Sequence, residues 1–115
     1  MGDIENLKNR IKKFTKERNW DQFHSPKNLS MALTVEASEL LETLQWLTEE
    51  QSKTLTIKQK SKMEEEVADI FLYLLMFCEK TGIDLITASN NKIDSNGNKY
   101  PVEKSYGNSK KYTEL

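Results

Sequence analysis

The chain of 115 residues holds one histidine, one cysteine, two prolines and four glycines. The lone Cys78 has no partner for an internal disulfide, and its place in an apolar run suits a buried small hydrophobe better than a nucleophile. The lone His24 lies outside any Glu-x-x-His motif, which weakens a di-iron carboxylate centre of the ferritin-like kind. No stretch is long and apolar enough to span a bilayer, and the opening MGDIENLKNR lacks the apolar region of a signal peptide. Gly2 invites a myristoylation reading, but position 6 is Asn where Ser or Thr is wanted. Neither charge sign is in excess: 17 basic and 18 acidic residues leave a net charge of −1. A general nucleic-acid surface is therefore not expected. Neither nucleic acid nor membrane is an expected partner, and the default location is cytoplasmic.

What is present is helix-forming. Hydrophobic content of 37% and charged content of 30% describe an ordinary globular chain, and the length suits one domain over residues 1–115. Ile4, Leu7, Ile11 and Phe14 recur by three and four, which predicts a helix from about Asp3 to Arg18. NWDQFHSPKN interrupts that pattern. Ser25 followed by Pro26 forms an N-cap and first-turn pair, so a second helix is expected from there to about Leu47. TEEQSKTLT reads as a polar loop. A third helix follows from about Ile57 to Lys80, with Gly82 as its C-cap. Asp84 can cap a shorter fourth helix through about Ile93. The segment from 94 to 115, with Gly97, Pro101 and Gly107, reads as an irregular tail. The expected class is all-α, with a helical core over about 3–93.

The acids raise the functional question. Laid out at about 100° per residue, Leu29, Leu33, Leu40, Leu44 and Leu47 mark the apolar stripe of the second helix. Glu36 falls inside that stripe and Glu39 at its edge, while Glu42 lies on the far side. The third helix is apolar on most sides, which suits a bundle or a subunit interface. Within that crowded surface Glu66, Asp69 and Tyr73 form a polar stripe at i, i+3 and i+7. Two helices thus each carry acids at i and i+3, facing or bordering the packed interior. Four such carboxylates cannot all stay ionised at low dielectric without cations. All-oxygen donors favour a hard cation, Mg²⁺ first and Mn²⁺ second. A glutamate near a helix stripe is also commonly a snorkelling or capped surface residue. Geometry alone leaves both readings open.

E36-x-x-E39 followed by E66-x-x-D69 resembles the acidic signature of the MazG-like all-α nucleoside triphosphate pyrophosphohydrolases. The likeness extends to RNWDQFHSPKNL (18–29), ELLETLQW (39–46), EEEVADIFLYL (64–74), KIDSNGNKYP (92–101) and the terminal KYTEL. These blocks are similar, in order and spacing, to the branch that acts on dCTP, and they cover essentially the whole chain. The resemblance implies an antiparallel four-helix bundle-type protomer that assembles as a homotetramer, or else a dimer, with sites built from more than one chain. It implies cleavage of a nucleoside triphosphate to the monophosphate and pyrophosphate, with Mg²⁺ held by Glu36, Glu39, Glu66 and Asp69. One of these, or a neighbour such as Glu65, orients the attacking water. The resemblance also gives substrate contacts to Trp20, Asp21, Gln22, Phe23 and His24, to Trp46 and Tyr73, and to Lys92 and Asn96. Flat indole and phenol rings suit a nucleobase, although the same aromatics suit a core. A histidine that some relatives place in the first helix falls on Ile11 here, which removes a polar contact.

The leading expectation is a Mg²⁺-dependent hydrolase of dCTP or a modified dCTP that cleans the nucleotide pool. A same-fold enzyme acting on dATP, dUTP or phosphoribosyl-ATP is the nearest alternative. From another class, a non-catalytic helical module with solvated acids would carry the same helices.

Overall fold

The structure, a computed structural model, describes residues 2–115. The elements are α1 (Asp3–Glu17), a 3-10 turn (Asp21–Phe23), α2 (Pro26–Leu44), α3 (Glu49–Lys53), α4 (Ile57–Thr81), α5 (Leu85–Lys99), α6 (Val102–Ser105) and a last 3-10 turn (Tyr112–Glu114). Among the described residues there is no strand, so the all-α expectation holds. None of these helices is long and apolar enough to cross a membrane.

The helix starts are set by short polar side chains. Ser25 Oγ accepts the backbone N–H of Asn28 at 3.1 Å, with Pro26 in the first turn of α2. Before α4, Thr56 Oγ1 accepts from the N–H of Gln59 at 3.1 Å, and the Gln59 side chain accepts from the N–H of Thr56 at 2.9 Å. This reciprocal box satisfies two donors that a helix start would leave open. Asp84 Oδ1 caps α5 through the N–H of Thr87 at 3.0 Å. At its other end α4 stops on Gly82, whose φ of 72° lies in the left-handed region.

Two expectations need correction. TEEQSKTLT is not all loop: Thr48 and Gln51 form a second capping box and start α3. The same T-x-x-Q pattern opens both α3 and α4, and the polar composition of the segment obscured it. The segment after Ile93 is not irregular either. α5 continues to Lys99 and carries Gly97 inside it. A mid-helix glycine costs only about 1 kcal/mol relative to alanine, whereas Pro101 restricts Tyr100 and ends the helix. A short α6 and the final turn follow, where Tyr100 and Tyr112 meet edge-to-face with ring centroids 6.0 Å apart.

The backbone forms two compact units, one ending at Gly82 and the other Ile83–Leu115. In the first, α2 and α4 are the main packed pair, and α1 lies against α4. Leu29 of α2 and Leu75 of α4 are essentially sealed from solvent, with Met63 and Cys78 buried beside them. Burial pushes the Cys78 thiol up, as expected of a packed residue rather than a reactive one. The rest of the α4 apolar surface is less covered: Phe71, Leu72, Leu74, Met76 and Phe77 are half-buried, and Val67 is exposed.

A methyl group on Gly82 would meet no atom within 4 Å, so Gly82→Ala isolates the backbone cost of the left-handed cap. A loss of about 1 kcal/mol is expected, read as a lower urea midpoint with unchanged slope.

Candidate active site

Three of the acids converge. Glu36 and Glu39, one turn apart on α2, and Glu66 on α4 each bring one carboxylate oxygen within 4.8 Å of the other two. The main helix-helix contact, α2 against α4, therefore also carries three converging carboxylates. Glu66 is only 3% exposed, far below what a carboxylate ordinarily tolerates. One of its oxygens, Oε1, accepts from Lys62 Nζ at 3.1 Å. The other, Oε2, is buried and has no hydrogen-bond partner. A buried carboxylate oxygen without a donor, on a residue of a three-carboxylate cluster, fits a hard cation.

The crowding separates the protonation of the acids. Glu36 is pushed up to about 7, first by the Glu66 carboxylate facing it, then by burial, Glu39 and Asp69. Glu66 is held down, first by the proton that Glu36 offers it and then by Lys62. Below about pH 7 the cluster thus holds a proton on Glu36 in place of one positive charge. Asp69, one turn beyond Glu66 on an exposed face of α4, stands outside the three-oxygen group but close enough for its charge to raise Glu36.

Beside the acids lies a cavity of about 400 Å³ between α1 and α4, reached by Asp69, Tyr73, Trp20 and His24. Its apolar wall includes Ile11, Phe14 and Leu72. The end of α1 builds the aromatic corner. Asn19 takes a φ of 53°, a conformation that asparagine tolerates better than most residues. The turn lets the N–H of Trp20 reach the carbonyl of Thr15 at 3.0 Å. Trp20 then meets Phe14 edge-to-face at 5.7 Å, and the Arg18 guanidinium covers the Phe14 ring at 3.6 Å. Tyr73 links cavity and acids: its phenol is raised by burial first, then by Glu36 and Asp69.

The profile of the MazG-like family matches residues 31–115. This chain belongs to the MazG-like family. It is 37% identical to dCTP pyrophosphatase 1 of Mus musculus and 34% identical to that of Homo sapiens, each alignment covering 97% of this chain and 67% of the relative. Its fold matches the crystal structure of a pyrophosphatase from Archaeoglobus fulgidus DSM 4304 with a TM-score of 0.83. That match has 34% identity and covers 88% of this chain and 94% of the other.

Against this MazG-like frame the remaining expected site residues fall into distinct places. Asp21 faces Lys80 at the end of α4 and is held below the usual carboxylate range by that ammonium. Gln22 donates to the carbonyl of Asn19 at 2.9 Å, and Asn28 donates to the carbonyl of Phe23 at 2.9 Å. These contacts fix the turn that presents Trp20 and His24, and Phe23 itself is 60% exposed. Trp46 lies just past the end of α2 and is 87% exposed. Lys92 and Asn96 are exposed residues of α5, in the second compact unit. Two residues were not anticipated. Lys62, four residues before Glu66, was legible from its i,i+4 spacing. Arg10 reaches the cavity from α1; its place one residue before Ile11 on the apolar side was the available signal.

A cation entering the cluster must displace the Glu36 proton. Affinity for a divalent cation is therefore expected to rise with pH and level off above about 7. Calorimetric titrations at pH 6 in buffers of different ionisation enthalpy should show nearly one proton released per ion, falling towards none at pH 8.5. No release at pH 6 would contradict the shared-proton description.

Proposed function

We propose that this chain hydrolyses nucleoside triphosphates between the α- and β-phosphates, with dCTP or a modified dCTP as substrate, in a Mg²⁺-dependent reaction that clears the cytoplasmic nucleotide pool. The class rests on kinship: the chain is a nucleoside triphosphate pyrophosphohydrolase. The reading of its site rests on one observation, the convergence of three carboxylates beside an aromatic-walled cavity.

A bound Mg²⁺, or Mn²⁺ in its place, offsets phosphate charge and lowers the pKa of a water. Glu36, Glu39 and Glu66 would hold it, with Asp69 as the fourth ligand. Glu36, raised to about 7, would lose its proton on ligating the ion, and Glu66, with one buried oxygen lacking a donor, is suited to serve as a ligand. Lys62 keeps the other Glu66 oxygen fixed, so the carboxylate has one orientation in which to ligate. Glu65 is exposed and 3.9 Å from Lys62, which suits a role in orienting water at the solvent side. The base enters the cavity against Trp20 and Tyr73, with His24 able to donate or accept one hydrogen bond. The phosphates then lie towards Asp69 and the acids. Gln22 and Asp21 hold the entrance turn.

The site is read as completed by another copy, in a homotetramer or, failing that, a dimer. A tryptophan 87% exposed is poorly placed to act alone, and Trp46 suits a contact reaching into a neighbouring site. The exposed Val67 borders a largely apolar groove of about 510 Å³ that also includes Leu55, Met63 and Phe71, a surface suited to a subunit partner.

Purified protein incubated with Mg²⁺ and dCTP, 5-methyl-dCTP, dATP or dUTP should release pyrophosphate, fastest from a cytosine nucleotide. Release from none of them by folded protein would end the enzymatic reading. Glu36→Gln and Asp69→Asn should each cut turnover by about 100-fold or more, since loss of even an outer-shell partner of a metal ligand costs about 10- to 100-fold. Both variants should keep wild-type helical content by circular dichroism; wild-type rates in both would remove these residues from the site.

A further inference from the structure

Among the described residues that line the cavity, one arginine belongs to neither the acid cluster nor its partner lysine. Arg10 borders the same 400 Å³ space as Trp20, His24 and Tyr73, from the face of α1 that also carries Ile11 and Phe14. It makes no hydrogen bond or ion pair with any described residue, unlike Arg18, Lys62 and Lys80. In particular no carboxylate lies within ion-pair distance of it, although Asp69 borders the same cavity. A guanidinium without a partner among the described residues, beside an aromatic recess, has donors available to a ligand.

We infer that Arg10 is a specificity-determining residue that reads the acceptor edge of a cytosine base. This inference deepens the proposed function and rests on its assignment of the cavity to the base. Arg10 is solvent-exposed and borders a cavity whose lining is mostly apolar and aromatic, with Leu7, Ile11, Phe14 and Leu72 on its wall, a lining that suits a flat ring better than a triphosphate. The phosphate end is at the acids, where Lys62 rather than Arg10 supplies the protein's positive charge. The ligand atoms within reach of Arg10 are therefore those of the base. A guanidinium presents two parallel N–H donors, and it binds best where two acceptors stand side by side. Cytosine offers that pair in O2 and N3. Uracil and thymine place an N–H at position 3, so the same fork would face a donor and lose one of its two bonds. The position that Ile11 leaves without a polar group is thus offset by the residue before it, with a donor set that favours cytosine over uracil.

The test uses the full chain as wild type, Arg10→Gln and Arg10→Lys. Steady-state kinetics with dCTP and dUTP are paired with calorimetric binding of 2′-deoxycytidine and 2′-deoxyuridine in the absence of metal. Arg10→Gln should raise KM for dCTP by about tenfold or more, the usual scale of one bidentate base contact. Its kcat should change little, dUTP should lose clearly less than dCTP because only one of the two bonds is made to it, and Arg10→Lys should not restore discrimination. Equal losses on both nucleotides, or full rescue by lysine, would mark a charge contact to phosphate and overturn the inference. The nucleoside arm is independent of turnover. A cytosine preference in the wild type that Arg10→Gln removes supports the role of Arg10 even if no triphosphate is hydrolysed. Equal binding of the two nucleosides by the wild type overturns it even if hydrolysis is fast.

Discussion

Three carboxylates held within 4.8 Å of one another, one of them buried, set the terms for this protein. Such a cluster opposes folding, because burial and mutual repulsion both disfavour the charged forms. The chain's most extensive helix contact, α2 against α4, with Leu29 and Leu75 sealed from solvent, holds it in place. Two small measures ease the repulsion without a metal: the proton on Glu36 and the ammonium of Lys62. With the acids ionised, Glu66 Oε2 is buried without a donor. The fold thus carries a local deficit of positive charge that a divalent cation would remove, a common relation between functional sites and stability.

The second requirement is an apolar recess next to those acids, and α1 supplies it. Its C-terminal turn bends at Asn19, sends Trp20 back onto Phe14, and is closed off by Arg18 over the ring. The turn that follows is tied to α4 by Lys80 and Asp21. Ion pairs at the surface contribute little to stability, so this one matters mainly for the orientation it gives the Trp20–His24 segment. Tyr73, on the same stripe of α4 as Glu66 and Asp69, joins the recess to the acids. One helix face therefore borders the acids at one end and the recess at the other.

Much of this was legible in the sequence, and the exceptions have physical causes. Helical period placed α1, α2 and α4 within a few residues, because Ser25, Pro26 and Gly82 are strong local signals. The same period separated Glu36 and Glu66 from the solvated Glu42. α3 was hidden because a capping box in a polar segment has no apolar stripe to announce it. The extent of α5 was missed because Gly97 was read as a breaker, although a helix can absorb one glycine when no proline follows at once. At the site, spacing put four acids on two helices but not which three oxygens converge. Asp69 stands a turn away, and a few ångströms of helix rotation lie beyond what periodicity resolves. Arg10 escaped notice because an arginine on an amphipathic helix is ordinarily a solvated residue. Only the cavity beside it makes its lack of a partner informative.

Thermal unfolding at pH 8 addresses the electrostatic claim most directly, comparing wild type and Glu36→Gln in chelator and in saturating Mg²⁺. In chelator, Glu36→Gln should be the more stable protein, because it removes a carboxylate whose pKa of about 7 makes it charged and repelled at that pH. Saturating Mg²⁺ should raise the wild-type Tm by about 5 °C or more, as expected for a ligand at roughly 100 times its Kd. The variant should gain little. Equal Tm values for wild type with and without the ion, together with a variant no more stable than wild type in chelator, would contradict the account.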